Sequence, residues 1–131
     1  MKTLRMRSLL SDSEEELIRT AIACAIEVHR GLAPGLIEHF YRRALCLEFE
    51  SRGISFDTEH PVSVKYRETT IGVHRLDFVV EKTIVLELKA VERLELVHTA
   101  QVISYLRASR HRAGLLLNFN AAPLTIRRIV L

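Results

Sequence analysis

The stretch that decides the fold is Thr83-Ile84-Val85-Leu86-Glu87-Leu88-Lys89-Ala90. Its first half is largely apolar on both faces, which predicts a strand that lies centrally in a sheet. Side chains alternate along a strand, so Glu87 and Lys89 point to the same face. Two charges at the end of such a strand indicate either a functional site or a solvated strand face with a weak ion pair.

A second carboxylate lies one hairpin upstream. The run Arg75-Leu76-Asp77-Phe78-Val79-Val80 ends another strand, and Glu81-Lys82 predicts a tight connection between the two strands. An acid on one strand, followed by acid-x-lysine on the next, is the layout of a divalent-metal site for phosphodiester cleavage. On this local pattern alone, the metal site and the plain strand face remain open alternatives.

The chemistry of phosphodiester hydrolysis explains why these residue types are needed together. A hard cation must lie against a phosphate oxygen, a water must be oriented, and developing negative charge must be neutralised. Mg²⁺ prefers one or two carboxylates together with water and substrate phosphate. We therefore expect Asp77, Glu87 and the backbone carbonyl of Leu88 to bind Mg²⁺ or Mn²⁺, with Lys89 orienting the water or neutralising charge.

The remaining periodicity predicts an α+β fold, with a mixed sheet between helices. Capping signals at Ser11–Glu16 precede a first helix, Gly31–Gly35 ends it, and Gly53 ends a second. The helix before residue 113 is long enough for a parallel, right-handed crossover between two strands. The predicted helices cover residues 13–30, 35–52 and 96–110, and the predicted strands cover 54–56, 61–66, 71–80, 83–90, 113–119 and 124–130.

Length and composition favour one globular domain. The chain has 131 residues, 48% of them apolar and 27% charged, so we expect a flexible arm over residues 1–10 and one domain over residues 11–131. The formal charge of +3 permits a nucleic-acid partner without requiring one. No apolar run is long enough to span a bilayer, and residues 1–7 do not resemble a signal peptide. Cys24 and Cys46 lack metal-type spacing, so we expect reduced thiols and a cytoplasmic protein.

Two helices add polar residues that could complete the site. Glu38 lies early on the second helix with Tyr41 three residues later, and Gln101 and Tyr105 share one face of the third helix. Each has a plainer alternative, which is helix-start electrostatics alone for Glu38 and a core position with a solvated hydroxyl for Tyr105.

Several motifs occur in order over residues 15–130. They are Ala25-Ile26-Glu27-Val28-His29-Arg30, Pro34-Gly35-Leu36-Ile37-Glu38 with Tyr41, Glu87-Leu88-Lys89-Ala90-Val91-Glu92, and His98 with Gln101 and Tyr105. In this set the chain resembles the GxxExxY protein family, a branch of the PD-(D/E)XK nuclease superfamily. The resemblance implies the restriction-endonuclease-like fold, with about five strands between helices, and a divalent-metal site.

The resemblance also implies a role for each site residue. The superfamily's first acid falls on Asp77, and its second acid and lysine fall on Glu87 and Lys89. The helical acid falls on Glu38, which would complete the acidic site directly or through water. The glutamine-tyrosine motif falls on Gln101 and Tyr105. Leu76 stands where the superfamily motif has proline.

Other polar residues give weaker indications. The six histidines show no zinc-ligand spacing, and His98 is either a contact near the site or a surface or capping residue. Basic residues occur as Arg42-Arg43, as Arg107, Arg110 and Arg112, and as Arg127-Arg128. They form either solvated faces or a surface that follows a nucleic-acid backbone.

The sequence thus predicts a metal-dependent nuclease that acts on phosphodiester bonds, with DNA as the expected substrate and without a feature that distinguishes DNA from RNA. One alternative is a non-catalytic or partner-dependent nucleic-acid-binding module with the same fold. A second is a structural or oligomeric scaffold. A homodimer or an unknown protein partner is compatible with each of these.

Overall fold

The stretch from Ile84 to Lys89 forms the middle strand of a mixed sheet in a computed structural model that describes residues 9–131. The elements in chain order are α1 (Asp12–Leu32), α2 (Glu38–Ser51), β1 (Phe56–Tyr66), β2 (Thr69–Val80), β3 (Ile84–Lys89), α3 (Leu96–Ser109), β4 (Ala113–Asn118) and β5 (Thr125–Val130).

The five strands lie in the order β1-β2-β3-β4-β5. Only the β3–β4 pair is parallel, with Ile84 opposite Ala113 and Lys89 opposite Asn118, and the other three pairs are antiparallel. A parallel pair needs a long crossover, and α3 provides it. The predicted mixed, five-stranded α+β sheet between helices is confirmed.

The two faces of β3 explain its apolar sequence. Ile84, Leu86 and Leu88 pack in the core that α1 and α2 cover, whereas Val85 packs in the core under α3. Burying an aliphatic side chain of this size contributes about 1.5–3 kcal/mol. The middle strand is therefore held in place from both sides.

The first predicted strands differ from the structure. Two separate strands were expected over residues 54–56 and 61–66, but Phe56–Tyr66 is one strand that pairs with β2 at every position except Glu59, with a register shift after Val64. Pro61 lies inside it. Proline is tolerated there because β1 is at the edge of the sheet, where a missing N–H removes no bond to a second neighbour.

The helix ends follow the predicted signals closely. Ser11 and Glu14 form a reciprocal capping box at the start of α1. The second helix begins at Glu38 and not at residue 35, since Gly35 has a φ of 113°, which is incompatible with a helix. Gly53, with a φ of 67°, follows its end as predicted. None of the helices within residues 9–131 is both long and apolar enough to cross a membrane.

The predicted arm over residues 1–10 falls mainly outside the described residues. Its last residue, Leu10, is buried in the core with α1 and α2, so that position belongs to the folded part. Cys24 and Cys46 are free thiols, the first buried and the second half-buried.

Candidate active site

The two strands that carry the predicted acids separate where those acids lie. β2 and β3 pair from Val80 and Ile84 up to Phe78 and Leu86, and no further pair follows. Beyond this pair, the side chain of Asp77 bonds to β3 in place of the backbone of β2: its Oδ2 accepts a hydrogen bond of 2.8 Å from the Leu88 N–H. We call this point of separation the β2–β3 fork.

The backbone of β2 is irregular at the fork. Leu76 packs in the core under α3, yet Phe78, two residues on, packs in the core under α1 and α2. Regular alternation would place both on one face. On the neighbouring strand, Glu59 has a φ of 49° and is missing from the otherwise continuous pairing at the position opposite Asp77.

Glu87 reaches the fork from the other side. Its Oε1 lies 3.4 Å from the backbone N–H of Asp77 and 3.4 Å from Nε2 of His74. The residue is 5% exposed, and Asp77 is 8% exposed. Burial, together with the negative charge of Asp77, raises the pKa of Glu87 from 4.5 to about 8. Two nearly buried carboxyl groups thus lie close together at the fork, where burial and the charge of Asp77 favour the protonated form of Glu87.

Arg42 joins Asp77 to Glu38. One of its terminal nitrogens donates hydrogen bonds of 2.9 Å to Oδ1 of Asp77 and to Oε1 of Glu38, while its Nε is buried and has no partner among residues 9–131. Burial and the nearby Asp77 raise the pKa of Glu38, and Arg42 opposes that rise. Arg42 therefore links Glu38 to Asp77 at the acidic site. From the sequence, Arg42 was predicted only to contribute to the basic surface.

His74 and Tyr105 form the wall of the site on the α3 side. Their rings stack with centroids 3.6 Å apart and an interplanar angle of 8°. Burial lowers the pKa of His74, and burial with the charge of Glu87 raises the pKa of Tyr105. Tyr105 is thus linked to Glu87 through His74. His74 was not among the site residues predicted from the sequence.

Lys89 and Gln101 are less closely joined to the acids. Lys89 is half-buried and forms none of the ion pairs seen among residues 9–131, but its charge lowers the pKa of Glu38 and of Glu87. Gln101 is exposed on α3, and none of the side-chain hydrogen bonds within the described range involves it. His98 has the capping role, since its Nδ1 accepts from the Glu95 N–H at 2.9 Å.

The loop before α2 is built by the residues around Glu38. Tyr41 is fully buried, donates from its hydroxyl to the carbonyl of Ala33 at 2.6 Å, and accepts from the Leu36 N–H at 3.1 Å. Gly35 adopts a φ of 113° and donates its N–H to Oδ1 of Asn120 at 3.1 Å. Together these contacts fix where α2 begins and therefore where Glu38 and Arg42 lie.

The donors at the fork fit a hard divalent cation. No group of three or more His, Cys, Asp or Glu side chains in the described range is arranged to hold a metal ion. The oxygen donors at the fork are the carboxylates of Asp77 and Glu87 and the Leu88 carbonyl. That carbonyl faces the fork, because N–H and C=O of one strand residue point to the same edge. Mg²⁺ characteristically uses one or two carboxylates and completes its shell with water and phosphate.

Comparison with known proteins agrees with this geometry. No curated protein matches the chain. A family model described as the PD-(D/E)XK nuclease superfamily matches residues 15–129, a range that contains every site residue discussed above. A mixed five-stranded sheet with flanking helices is consistent with that assignment. The chain therefore belongs to the PD-(D/E)XK nuclease superfamily.

Proposed function

We propose that this protein is a nuclease that hydrolyses phosphodiester bonds in DNA and depends on Mg²⁺ or Mn²⁺. The observation that carries the proposal is the convergence of Asp77 and Glu87 at the β2–β3 fork. Without a cation, burial and the neighbouring Asp77 raise the pKa of Glu87 to about 8, so this carboxyl group holds a proton near neutral pH. A divalent ion would displace that proton and stabilise both carboxylates, and a phosphate would complete its shell.

Each acid has a defined role in this proposal. Asp77, Glu87 and the Leu88 carbonyl would hold the ion, and Glu38 would contribute through water. The bound ion would neutralise charge on a phosphate oxygen. Lys89 would orient the attacking water or stabilise developing charge, which its electrostatic influence on both Glu38 and Glu87 supports.

Two residues of α3 would contact or shape the bound substrate. Tyr105 stacks on His74 beside Glu87, so its hydroxyl borders the acidic site. Gln101 lies one helical turn earlier, exposed and available for a phosphate oxygen. Arg42 would keep Asp77 and Glu38 in position and balance their charge before the ion binds.

We further propose that the chain belongs to the GxxExxY branch of the superfamily. This assignment is supported by the contacts and conformations of the three motif residues, Gly35, Glu38 and Tyr41. Gly35 takes a backbone conformation that suits glycine, Glu38 reaches the acidic site through Arg42, and Tyr41 anchors the loop between them. A protein partner or homodimer and a cytoplasmic location remain predictions from the sequence.

The proposal is tested by cleavage of duplex, single-stranded and branched DNA and of RNA, with Mn²⁺ and with EDTA. We expect Mn²⁺-dependent cleavage of a DNA form by the wild type and none by Asp77→Asn or Glu87→Gln. Asn retains an oxygen for the Leu88 N–H, so circular dichroism should show an intact fold.

Asp57→Asn is the matched control, because Asp57 is an exposed acid on the adjacent strand. It should cleave like the wild type. Cleavage retained in both site variants would refute the assignment. Metal binding or nucleic-acid binding without any turnover would favour the binding module instead.

A further inference from the structure

A cleft of about 760 Å³ lies between β1 and the second half of α3. None of the described residues that line it is acidic. The polar groups of its lining include three cations and three hydroxyls, which are Lys65, Arg107, Arg110, Ser63, Ser104 and Ser109. The cleft thus offers positive charge and hydrogen-bond donors with no opposing carboxylate in its walls.

The cleft adjoins the acidic site. Val62 lines it and is the cross-strand partner of His74, whose Nε2 lies 3.4 Å from Glu87. Ser104 also lines it and directly precedes Tyr105, whose ring stacks on His74. A chain molecule bound at Asp77 and Glu87 could therefore continue past His74 into the cleft.

The cations of the cleft are available for a ligand. The side chains of Lys65, Arg107 and Arg110 form no ion pair with an acid in the part of the chain that the structure describes. Other arginines are engaged: Arg42 pairs with Asp77 and Glu38, and Arg127 donates to Leu94, Glu95 and Thr99 at the start of α3.

We propose that this cleft binds the sugar-phosphate backbone of a nucleic-acid strand that extends from the acidic site. The proposal rests on the function proposed above. From Ser104 to Ser109, where α3 ends, the helix rises about 7.5 Å at 1.5 Å per residue, which matches two to three phosphates at 3.4 Å of axis each. Apart from His60, no aromatic side chain lines the cleft, so it offers phosphate contacts and no base-stacking platform. The binding should therefore not depend on sequence.

The test uses a triple variant, Lys65→Gln, Arg107→Gln and Arg110→Asn. Asparagine is chosen at Arg110 because that residue has a φ of 61°, which asparagine tolerates. The matched control is Arg19→Gln, Arg30→Gln and Lys82→Asn. It removes the same charge from exposed positions outside the cleft, and Lys82, with a φ of 58°, repeats the backbone situation of Arg110.

The measurement is fluorescence anisotropy of short labelled DNA duplexes at several salt concentrations, with EDTA to prevent cleavage. We expect the cleft variant to lower the slope of log Kd against log salt by about 2–3, because each phosphate contact contributes about 0.7–0.9. The control should keep the slope of the wild type. Two duplexes of unrelated sequence should lose affinity equally.

Several outcomes would overturn the proposal. They are equal slopes for the cleft and control variants, a loss confined to one sequence, or no nucleic-acid binding by the wild type. Cleavage with Mn²⁺ separates this from the proposed function. If the cleft variant binds DNA like the wild type while Asp77→Asn is inactive, the cleft proposal is refuted and the nuclease proposal stands. If the salt slope depends on the cleft but the wild type cleaves no substrate, the nuclease proposal is refuted and the cleft proposal stands.

Discussion

Glu87 makes the stability of the metal-free protein depend on pH. Its folded-state pKa of about 8 lies above its ordinary value of 4.5. Its contribution to stability is therefore fully present below pH 4.5 and is lost as the pH rises through 8. We expect the Tm in EDTA to fall across this range because the folded state must then accommodate a second buried negative charge.

The variant Glu87→Gln should flatten this dependence, since it keeps the shape of the side chain without the titrating group. Glu50→Gln, at an exposed position of α2, is the control and should keep the slope of the wild type. Thermal unfolding followed by circular dichroism between pH 5 and pH 9 measures the effect. A slope that survives in Glu87→Gln would show that another group is responsible.

Arg42 is expected to stabilise the protein before a cation binds. Arg42→Met removes both hydrogen bonds to Asp77 and Glu38 and leaves two half-buried or buried acceptors without that partner. We expect a loss of about 1.5–3 kcal/mol in urea unfolding with EDTA. Saturating Mn²⁺ should recover part of it. Arg43→Met, at the exposed neighbouring position, should cost much less, and an equal loss in the two variants would argue against the bridge.

At the scale of elements, the start of α2 depends on Tyr41. Tyr41→Phe removes the hydroxyl that bonds to Ala33 and Leu36 while keeping the ring stacked on Phe119. We expect a loss of about 1–2 kcal/mol in unfolding free energy and slower cleavage, because Glu38 and Arg42 lie on the helix that this loop positions. Tyr66→Phe, on the exposed end of β1, serves as control. Cleavage and stability equal to that control would contradict the anchoring role.

Most elements around the site could be predicted because they have a local signal in the sequence. The apolar residues on both faces of β3 indicated a central strand, and Glu87 and Lys89 indicated where that strand ends. Arg42 also had a signal, since it stands four residues after Glu38 on one helix face. The single strand over residues 56–66 had none, because Pro61 suggests a break until the strand is known to lie at an edge.

His74 could not have been selected from sequence. It stands three residues before Asp77, and regular alternation would put the two side chains on opposite faces of β2. They reach one site only because β2 is irregular at the fork and because Glu87 approaches it from the face where His74 and Tyr105 stack. The proximity of His74 to these two acids depends on tertiary structure and produces no periodic pattern in the sequence.

At the scale of the whole molecule, cation binding should stabilise the entire fold. A ligand at one hundred times its Kd adds about 2.7 kcal/mol if it binds only the folded state, which corresponds to a rise in Tm of roughly 10 °C for a chain of this size. We expect this rise with Mn²⁺ for the wild type, and little or none for Asp77→Asn. Asp57→Asn should respond like the wild type. An equal rise in Asp77→Asn would place the bound ion elsewhere.

The hydrogen bond from the Leu88 N–H to Asp77 gives the protein a built-in spectroscopic reporter. In a ¹⁵N-labelled sample, the resonance of this one amide should shift whenever the carboxylate gains a proton or a cation, and its solvent exchange should quicken if the strand edges open. A titration followed at this single peak would reveal the occupancy of the site by a proton or a cation without any substrate.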